Sequence, residues 1–202
     1  MKQLSFGDEA KRILTDGYVL ALPTETVYGL GVRWDDEAAY KRLYEAKLRK
    51  PTKPIAVMCG TDFNLDAHFD ISDGAMRVIK KFLPGPLTVL VKAKSNVPFQ
   101  AHLGTNVVGI RIPGKKELLN FLETLPFPLQ VTSANISGKL PLTKCEDVIQ
   151  TFELNENIKG IVEGDCESSI PTTVVDLTGE KPVVIRKGEI LEDEINETFR
   201  KN

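Results

Sequence analysis

Two hydroxyls, one carboxylate and one phenol lie within five consecutive residues near the start of the chain: Thr24, Glu25, Thr26 and Tyr28. They follow an apolar run at 18–22 that is typical of a buried strand. Gly29 and Gly31 allow the backbone to come close to whatever these groups contact. Open α/β sheets bind ligands at the ends of their central strands, through polar side chains that lie there. The pattern therefore predicts a binding site, although a polar turn between two elements has the same composition.

A second group carries positive charge. Four cations lie within seven residues, at the end of a helix predicted over 35–48 and in the loop after it: Lys47, Arg49, Lys50 and Lys53. Arginine can bind a phosphate through two hydrogen bonds and lysine through a compact charge, so such a cluster can hold a triphosphate. More commonly, a run of cations at the end of a helix is a solvated turn that complements the helix dipole. Pro51 and Pro54 restrict the loop, which favours a preorganised anion site.

A third group follows the apolar strand predicted at 129–132. Ser133 and Asn135 begin a segment of small polar residues that ends at Gly138. Its hydroxyl and amide groups can bind phosphate oxygens or a ribose by hydrogen bonds. The same residue types are common in ordinary turns, and the segment alone does not distinguish the two.

A single charge interrupts another predicted strand. Arg111 lies within the strand predicted at 107–112, between two isoleucines. A charge that alternates with apolar residues usually marks the solvated face of a sheet. If that face lines a cleft, Arg111 is instead a clamp for an anion or a carboxylate. Strands predicted at 173–176 and 183–186 also have hydroxyls or a guanidinium at their ends.

Composition excludes several classes of function. The 202-residue chain has 42% hydrophobic and 27% charged residues and a net charge of -2, which fits a globular protein and argues against a globally basic nucleic-acid binder. Its first residues lack the pattern of a signal peptide, and no apolar run approaches the ~20 residues of a membrane span. The sequence has no P-loop motif and no dinucleotide-binding glycine motif. Hydroxyls, lysines and arginines predict catalysis by positioning and charge stabilisation of anionic substrates.

The thiols and imidazoles have no catalytic or metal-binding spacing. Cys59, Cys145 and Cys166 are odd in number and far apart, which is typical of reduced thiols in a cytoplasmic protein. His68 and His102 are the only histidines, and neither has neighbours that indicate a triad or a metal site. We therefore expect a cytoplasmic protein with no metal site of its own.

Strand-like and helix-like segments alternate along the chain. This order predicts one α/β domain with a mixed sheet, because the last strands have no long helices between them. Helices are predicted over 8–16, 35–48, 72–82, 117–125 and 148–152. Strands are predicted over 18–22, 55–58, 87–91, 107–112, 129–132, 161–162, 173–176 and 183–186. The tail from 190 is acidic and is predicted to be helical.

Six motifs occur in the order of a known family: Pro23–Leu30, Lys47-x-Arg49, Pro84-Gly85-Pro86-x-Thr88, Arg111–Pro113, Ser133-Ala134-Asn135-x-Ser137-Gly138 and Thr173–Asp176. Together they resemble the YrdC/TsaC family of threonylcarbamoyl-AMP synthases, over about residues 5–190. The resemblance implies a single YrdC-like domain at 1–190 and a short acidic C-terminal extension at 191–202. It also implies a twisted, mixed open sheet with flanking helices around a positively charged cavity.

The resemblance implies a nucleotidyltransferase that converts L-threonine, bicarbonate and ATP to L-threonylcarbamoyl-AMP, diphosphate and water. The product would supply the threonylcarbamoyl group of t6A in tRNAs that read ANN codons. Mg²⁺ would enter with ATP, because the sequence has no carboxylate cluster made for it. The implied partners are the small substrates, with tRNA or the TsaD-containing transferase complex as further candidates and no membrane.

Roles for single residues are implied position by position. The catalytic pair that holds the ATP phosphates is Lys47 and Arg49. The residues that bind L-threonine are Thr24, Arg111 and Thr172. The remaining nucleotide-binding residues are Ser133, Asn135 and Arg186. Arg111 could instead meet the carbamate or the nucleotide, and Thr172 replaces the usual serine but keeps its hydroxyl.

Two departures from the family pattern leave alternatives open. Lys50 separates the Lys-x-Arg motif from Pro51, and Met58 stands where some members have a histidine that helps to hold threonine. The segment 47–58 also resembles the YrdC-like domain of HypF, which makes carbamoyl-AMP from carbamoyl phosphate. A carbamoyl-adenylate-forming or YciO-like paralogue is therefore one alternative. An RNA-binding module is another, and the net charge of -2 counts against it.

Overall fold

A computed structural model describes residues 1–48, 50, 54–166, 168 and 170–201. The strands are β1 (Lys2–Leu4), β2 (Val19–Leu22), β3 (Gly29–Arg33), β4 (Val57–Met58), β5 (Phe69–Asp70), β6 (Leu87–Ala93), β7 (Val107–Arg111), β8 (Leu129–Ser133), β9 (Ile158–Val162), β10 (Thr173–Asp176) and β11 (Val183–Arg186). The helices are α1 (Asp8–Thr15), α2 (Glu37–Ala46), α3 (Leu65–His68), α4 (Asp73–Phe82), α5 (Phe99–His102), α6 (Lys116–Glu123), α7 (Cys145–Phe152) and α8 (Glu192–Arg200). Arg49, a predicted site residue, lies outside the described residues, as do residues 51–53.

Eleven strands within the described residues form one mixed sheet in the order β1-β9-β2-β3-β8-β4-β7-β6-β10-β11, and β5 pairs with β6 off this path. The pairs β1/β9, β2/β9, β4/β7 and β6/β10 are parallel. The other pairs are antiparallel. The prediction of a mixed sheet with flanking helices is confirmed.

Local sequence signals set the ends of the longest helices. Asp36 caps α2 by accepting the amide of Ala39 at 3.0 Å, and Ser72 caps α4 by accepting the amide of Ala75 at 3.3 Å. Helix α2 is shorter than its predicted range of 35–48 at both ends, because Asp36 is the N-cap and Leu48 has a left-handed backbone with a φ of 51°. The two-residue strands and four-residue helices carry no periodicity, and for that reason β5, α3 and α5 are not predicted.

Helices cover the sheet on both sides and form two apolar cores. The larger core takes residues from α1, α4, α6 and α8, and the smaller core takes residues from α2 and α7. The acidic tail is helical, as predicted, and α8 packs on α4. Its Ile195 is fully buried in the larger core. Arg77 of α4 donates to the main-chain oxygens of Phe199 at 2.6 Å and Thr198 at 3.4 Å.

The strands β6, β7 and β10 separate the larger core from a cavity. Successive side chains on a strand point to opposite faces. On the core side lie the fully buried residues Val89, Val108, Ile110 and Val175. On the cavity side lie Thr88, Leu90, Gly109, Arg111 and Val174. The cavity therefore extends over a face of the sheet, whereas the sequence pattern predicts a site at the strand ends.

Candidate functional site

The turn between β2 and β3 holds two threonine hydroxyls in fixed positions. Thr24 Oγ1 accepts the amide of Thr26 at 3.1 Å and donates to the main-chain oxygen of Val27 at 2.8 Å. The two threonine hydroxyls are 3.0 Å apart, and both residues are 1% exposed and line the cavity. The next strand comes so close to β8 that a Cβ on Gly29 would lie 2.6 Å from Val131 Cγ1, which explains the glycine.

The guanidinium of Arg111, at the end of β7, contacts this turn. Its Nη2 donates to Thr26 Oγ1 at 3.1 Å and to Thr24 Oγ1 at 3.3 Å. The same nitrogen lies 2.8 Å from Oε1 of Glu25. The side chains of Arg111 and Glu25 are 12% and 10% exposed, so the pair is largely removed from water. A charge within a strand can mark either a solvated face of the sheet or a cleft. The structure places Arg111 in a cleft.

A second arginine reaches the cavity from β11. Arg186 donates through Nη2 to Thr172 Oγ1 at 2.8 Å and through Nε to the main-chain oxygen of Thr172 at 3.0 Å. Thr172 Oγ1 also lies 3.1 Å from Thr88 Oγ1. Burial lowers the pKa of the Arg186 guanidinium, and the positive charge of Arg111 lowers that pKa further. Because the two arginines repel each other, an anion bound between them would be stabilised.

The end of β8 is braced by a buried lysine. Ser133 Oγ donates to Asn135 Oδ1 at 2.6 Å, and Asn135 Nδ2 donates to the main-chain oxygens of Lys139 at 2.8 Å and Ile136 at 3.0 Å. Lys47 Nζ donates to the main-chain oxygen of Ser133 and to both oxygens of Asn135. Lys47 is 2% exposed. These bonds hold in place the turn that presents Ser133 to the cavity.

The cavity has a volume of about 670 Å³, within the range of roughly 300–1,000 Å³ that is common for small-molecule sites. The charged side chains among its described lining residues are Arg111 and Arg186. Apolar side chains such as Leu90, Val107 and Val131 form much of the remaining wall. The arrangement can therefore bind ligands that combine anionic groups with a less polar body.

Most of the predicted site residues meet at this cavity. Its described lining includes Thr24, Arg111, Ser133, Thr172 and Arg186. Lys47 and Asn135 contact Ser133 from behind and are not among the described lining residues. The ligand that each residue binds stays a prediction.

Three residues beside the arginines receive no individual role from the sequence: Glu25, Thr26 and Thr88. The sequence does contain a signal for Thr88, which is a single hydroxyl within an apolar strand. In the structure Thr88 pairs with Val174 of β10, and both line the cavity.

The phenol of Tyr28 points to the backbone, where it donates to the main-chain oxygen of Gly164 at 2.7 Å. Burial, with Cys145 nearby, raises the pKa of Tyr28, which makes the phenol unsuited to proton transfer at neutral pH.

Side chains that bind metal ions do not cluster in the described part of the chain. Within the described ranges no group of three or more His, Cys, Asp or Glu could hold a metal ion. The described lining of the cavity contains no carboxylate, which is the ligand that Mg²⁺ prefers from a protein. In the same part of the chain, no helix combines the length and the apolar character needed to cross a membrane.

Comparison with known proteins identifies the family and the fold of the chain. A family model for Sua5, YciO and YrdC proteins, described as telomere recombination, matches residues 12–188. The chain belongs to this family. Threonylcarbamoyl-AMP synthase of Pyrococcus abyssi is 34% identical over 94% of this chain, which corresponds to 56% of the archaeal protein. The chain thus spans a little over half of the length of that relative.

Solved structures of the family share the fold. A crystal structure of P. abyssi Sua5 in complex with L-threonine matches 94% of this chain and 56% of that one with a TM-score of 0.87. The crystal structure of Escherichia coli YciO, at 25% identity, matches 96% of this chain and 97% of that one with a TM-score of 0.83. Full-length HypF in a phosphate- and nucleotide-bound form has a TM-score of 0.77 over 89% of this chain and 28% of that one, at 21% identity. The predicted YrdC-like fold is confirmed.

Proposed function

We propose that this chain is an L-threonylcarbamoyl-AMP synthase, a nucleotidyltransferase that joins L-threonine, bicarbonate and ATP. The observation that carries the proposal is the placement of Arg111 and Arg186 on one cavity with the hydroxyls of Thr24, Thr26 and Thr172. Two fixed cations suit a substrate pair in which one partner is a carboxylate and the other a polyphosphate. The relation to a protein named threonylcarbamoyl-AMP synthase supports the same activity.

The proposed reaction has two chemical steps. The amine of L-threonine attacks the carbon of bicarbonate, and water leaves as the carbamate forms. A carbamate oxygen then attacks the α-phosphorus of ATP in line, and pyrophosphate leaves. Because bicarbonate is a poor electrophile and a carbamate oxygen is a weak nucleophile, catalysis depends on holding the reactants together and on neutralising the departing pyrophosphate.

The threonine end of the site would be the corner beside the β2–β3 turn. Arg111 would bind the carboxylate of L-threonine, because its guanidinium already lies against the hydroxyl of Thr24, the other residue implied to meet the amino acid. Thr172 would contribute its hydroxyl, which accepts a hydrogen bond from Nη2 of Arg186 at 2.8 Å.

The nucleotide end would lie along the β8 turn. Ser133, Asn135 and Arg186 would bind the nucleotide, and Lys47 and Arg49 would stabilise its phosphates. The bonds from Lys47 Nζ to the backbone at Ser133 and Asn135 place its charge directly behind the turn. From there it would raise the potential felt by phosphates at Ser133, because a charge in a poorly hydrated site acts over several ångströms. Mg²⁺ would arrive bound to ATP.

The product would be consumed by a transferase that modifies tRNA. A mixed anhydride of a carbamate and AMP is reactive, so the acceptor must lie in the same compartment. The tRNA, the t6A modification and a TsaD-containing complex are therefore part of the proposal, as is a cytoplasmic location.

The test is one incubation of the pure protein with ATP, Mg²⁺, bicarbonate and L-threonine, followed by mass spectrometry. The expected result is a threonine-dependent product with the mass of threonylcarbamoyl-AMP, with pyrophosphate in equal amount. Omission of threonine and replacement of bicarbonate by carbamoyl phosphate serve as controls. No product with threonine would contradict the proposal.

A second candidate is a YciO-like paralogue that forms a different adenylate. It is favoured by the match to E. coli YciO over nearly the full length of both chains. A product formed with carbamoyl phosphate but not with threonine would support this candidate.

A further inference from the structure

An under-satisfied ion pair lies at the threonine end of the cavity. Both carboxylate oxygens of Glu25 and Nε of Arg111 are buried, and among the described residues no hydrogen bond reaches them. Oε1 of Glu25 is 2.8 Å from Nη2 of Arg111, close enough for an ion pair but outside the angles of a hydrogen bond. Buried polar groups without such bonds are rare in folded proteins and concentrate where function requires them.

The exposed pair between Arg33 and Asp35 shows what a fully bonded pair looks like in this chain. There Nε donates to Oδ1 at 2.7 Å and Nη2 donates to Oδ2 at 2.9 Å. In the buried pair, one guanidinium nitrogen faces one carboxylate oxygen while also donating to two threonine hydroxyls. A buried charge that lacks its full set of hydrogen bonds lowers the stability of the fold. The contribution of Glu25 to stability alone therefore does not explain why the pair has this geometry.

We infer that Glu25 is a positioning residue, which acts on the substrate through Arg111. Its carboxylate and the hydroxyls of Thr24 and Thr26 hold Nη2 against the turn, so that the guanidinium keeps one orientation toward the cavity. The inference deepens the proposed function and rests on it only where it names the bound anion as the carboxylate of L-threonine.

The net charge at the cavity distinguishes two possible effects of Glu25: positioning the Arg111 guanidinium and changing the general attraction for anions. Arg111 and Arg186 bring two positive charges to the cavity, and Glu25 offsets one of them. Loss of the carboxylate therefore leaves more positive charge but a less fixed guanidinium. The affinity for a ligand that needs the guanidinium in one orientation should then fall. The affinity for a polyanion that is attracted by charge alone should not fall. A merely structural residue would weaken both kinds of binding.

The experiment compares Glu25→Gln, Glu25→Asp and the control Asp35→Asn by isothermal titration calorimetry with L-threonine and with inorganic pyrophosphate. For Glu25→Gln we expect the Kd for L-threonine to rise about 10- to 100-fold, the range for loss of a charged hydrogen bond between a misaligned Arg111 guanidinium and the carboxylate of the ligand. The Kd for pyrophosphate should stay equal or fall. Glu25→Asp, which keeps the charge, should recover part of the threonine affinity, and Asp35→Asn should match the wild type.

Equal losses for both ligands, or no loss for either, would overturn the inference. If Glu25→Gln does not fold, Thr26→Val removes another contact of Nη2 and should weaken threonine binding without weakening pyrophosphate binding.

A measurement without ligand separates failure of this inference from failure of the proposed function. Phenylglyoxal modifies accessible arginines, and peptide mass spectrometry reports the rate at Arg111. We expect that rate to rise several-fold in Glu25→Gln and to be unchanged in Asp35→Asn. If wild-type protein does not bind L-threonine, the proposed function fails, while a faster reaction at Arg111 would still support the positioning role. Equal rates at Arg111 in wild type and Glu25→Gln would overturn it.

Discussion

The ammonium group of Lys47 donates to both oxygens of Asn135, at 2.9 Å for the main-chain oxygen and 3.0 Å for Oδ1. A further bond goes to the main-chain oxygen of Ser133. Among the described residues, each of these three acceptors can take one of the N–H donors of a lysine side chain. Lys47 is therefore part of the scaffold of the β8 turn, and its proposed effect on phosphates would come in addition to this role.

Replacing Lys47 by methionine keeps an unbranched side chain but removes the charge and the donors. We expect the free energy of unfolding to fall by about 1–3 kcal/mol, because buried oxygens lose their partner. We also expect kcat to fall by about 10²–10³-fold if the charge stabilises the phosphates. Urea denaturation measures the first effect and product formation under saturating substrates the second.

The matched control is Lys41→Met, since Lys41 pairs with Glu37 at 2.7 Å on the surface of α2 with both side chains more than half exposed. Its effect on stability should stay within about 0.5 kcal/mol. Lost stability with normal turnover in Lys47→Met would contradict the phosphate role. Normal stability would contradict the scaffold role.

Adjacent threonines at the start of β10 allow a comparison between the cavity and the core, since Thr172 directly precedes the strand and Thr173 is its first residue. Thr172 bonds to Arg186 and lines the cavity, whereas Thr173 is fully buried and donates to the main-chain oxygen of Ile190 at 3.0 Å. Thr172→Val should raise KM for L-threonine about 10-fold, because the hydroxyl proposed to contact the amino acid is lost. Thr173→Val should lower stability by about 1 kcal/mol and leave KM unchanged. Steady-state kinetics and thermal unfolding measure both variants, and equal KM values would argue against a role of Thr172 in the site.

Local patterns predict which residues carry polar groups but not which of them meet. The strand before Thr24 and the turn after it follow from apolar and polar runs that lie within ten residues of each other. The bond from Arg111 to Thr24 joins residues 87 positions apart in the sequence. That contact depends on the order of strands in the sheet, and no local pattern contains this order.

The same limit applies to the burial of Glu25 and Lys47, which no local pattern indicates. An acid in a polar turn and a lysine at a helix end are usually solvated. Here Glu25 is 8% and Lys47 2% exposed, because the β2–β3 and β8 turns fold against neighbouring elements. Burial of a charge by tertiary contacts can be read only from the assembled fold. The roles of Arg49 stay predictions from the sequence.

The thiols should differ in their reaction with iodoacetamide. Cys59 is 2% exposed, and burial, with the nearby charge of Asp62, raises its pKa to about 12. The thiolate is the reactive form, so only about 10⁻⁴ of the Cys59 thiol would be ionised at pH 8. Cys145 and Cys166 are partly exposed, and burial raises the pKa of each. Their labelling should accelerate as the pH rises from 8 to 9.5, while Cys59 stays unlabelled until urea unfolds the chain.

Peptide mass spectrometry of native and unfolded samples measures this order. If Cys59 reacts in native protein as fast as the other thiols, the β4 region opens much more readily than its burial indicates.

Helix α8 should contribute to the stability of the whole domain, even though it lies beyond the domain boundary predicted at 190. Ile195 is fully buried, whereas Leu191, just before the helix, is 63% exposed. A Cβ on Gly74 of α4 would lie 2.9 Å from the ring of Phe199, which shows how closely the two helices approach. Ile195→Ala should therefore lower the free energy of unfolding by about 2–4 kcal/mol. Leu191→Ala should change it by no more than about 0.5 kcal/mol.

Urea denaturation followed by circular dichroism and by the fluorescence of Trp34 distinguishes an integral helix from an independent extension. If α8 is integral, Ile195→Ala shifts both probes to the same lower midpoint, because helix and core unfold together. If α8 unfolds on its own, the fluorescence midpoint stays at the wild-type value while part of the helical signal is lost earlier. Trp34 suits this purpose because it belongs to the same core cluster as Ile195 but lies in the segment after β3, well separated in sequence from α8.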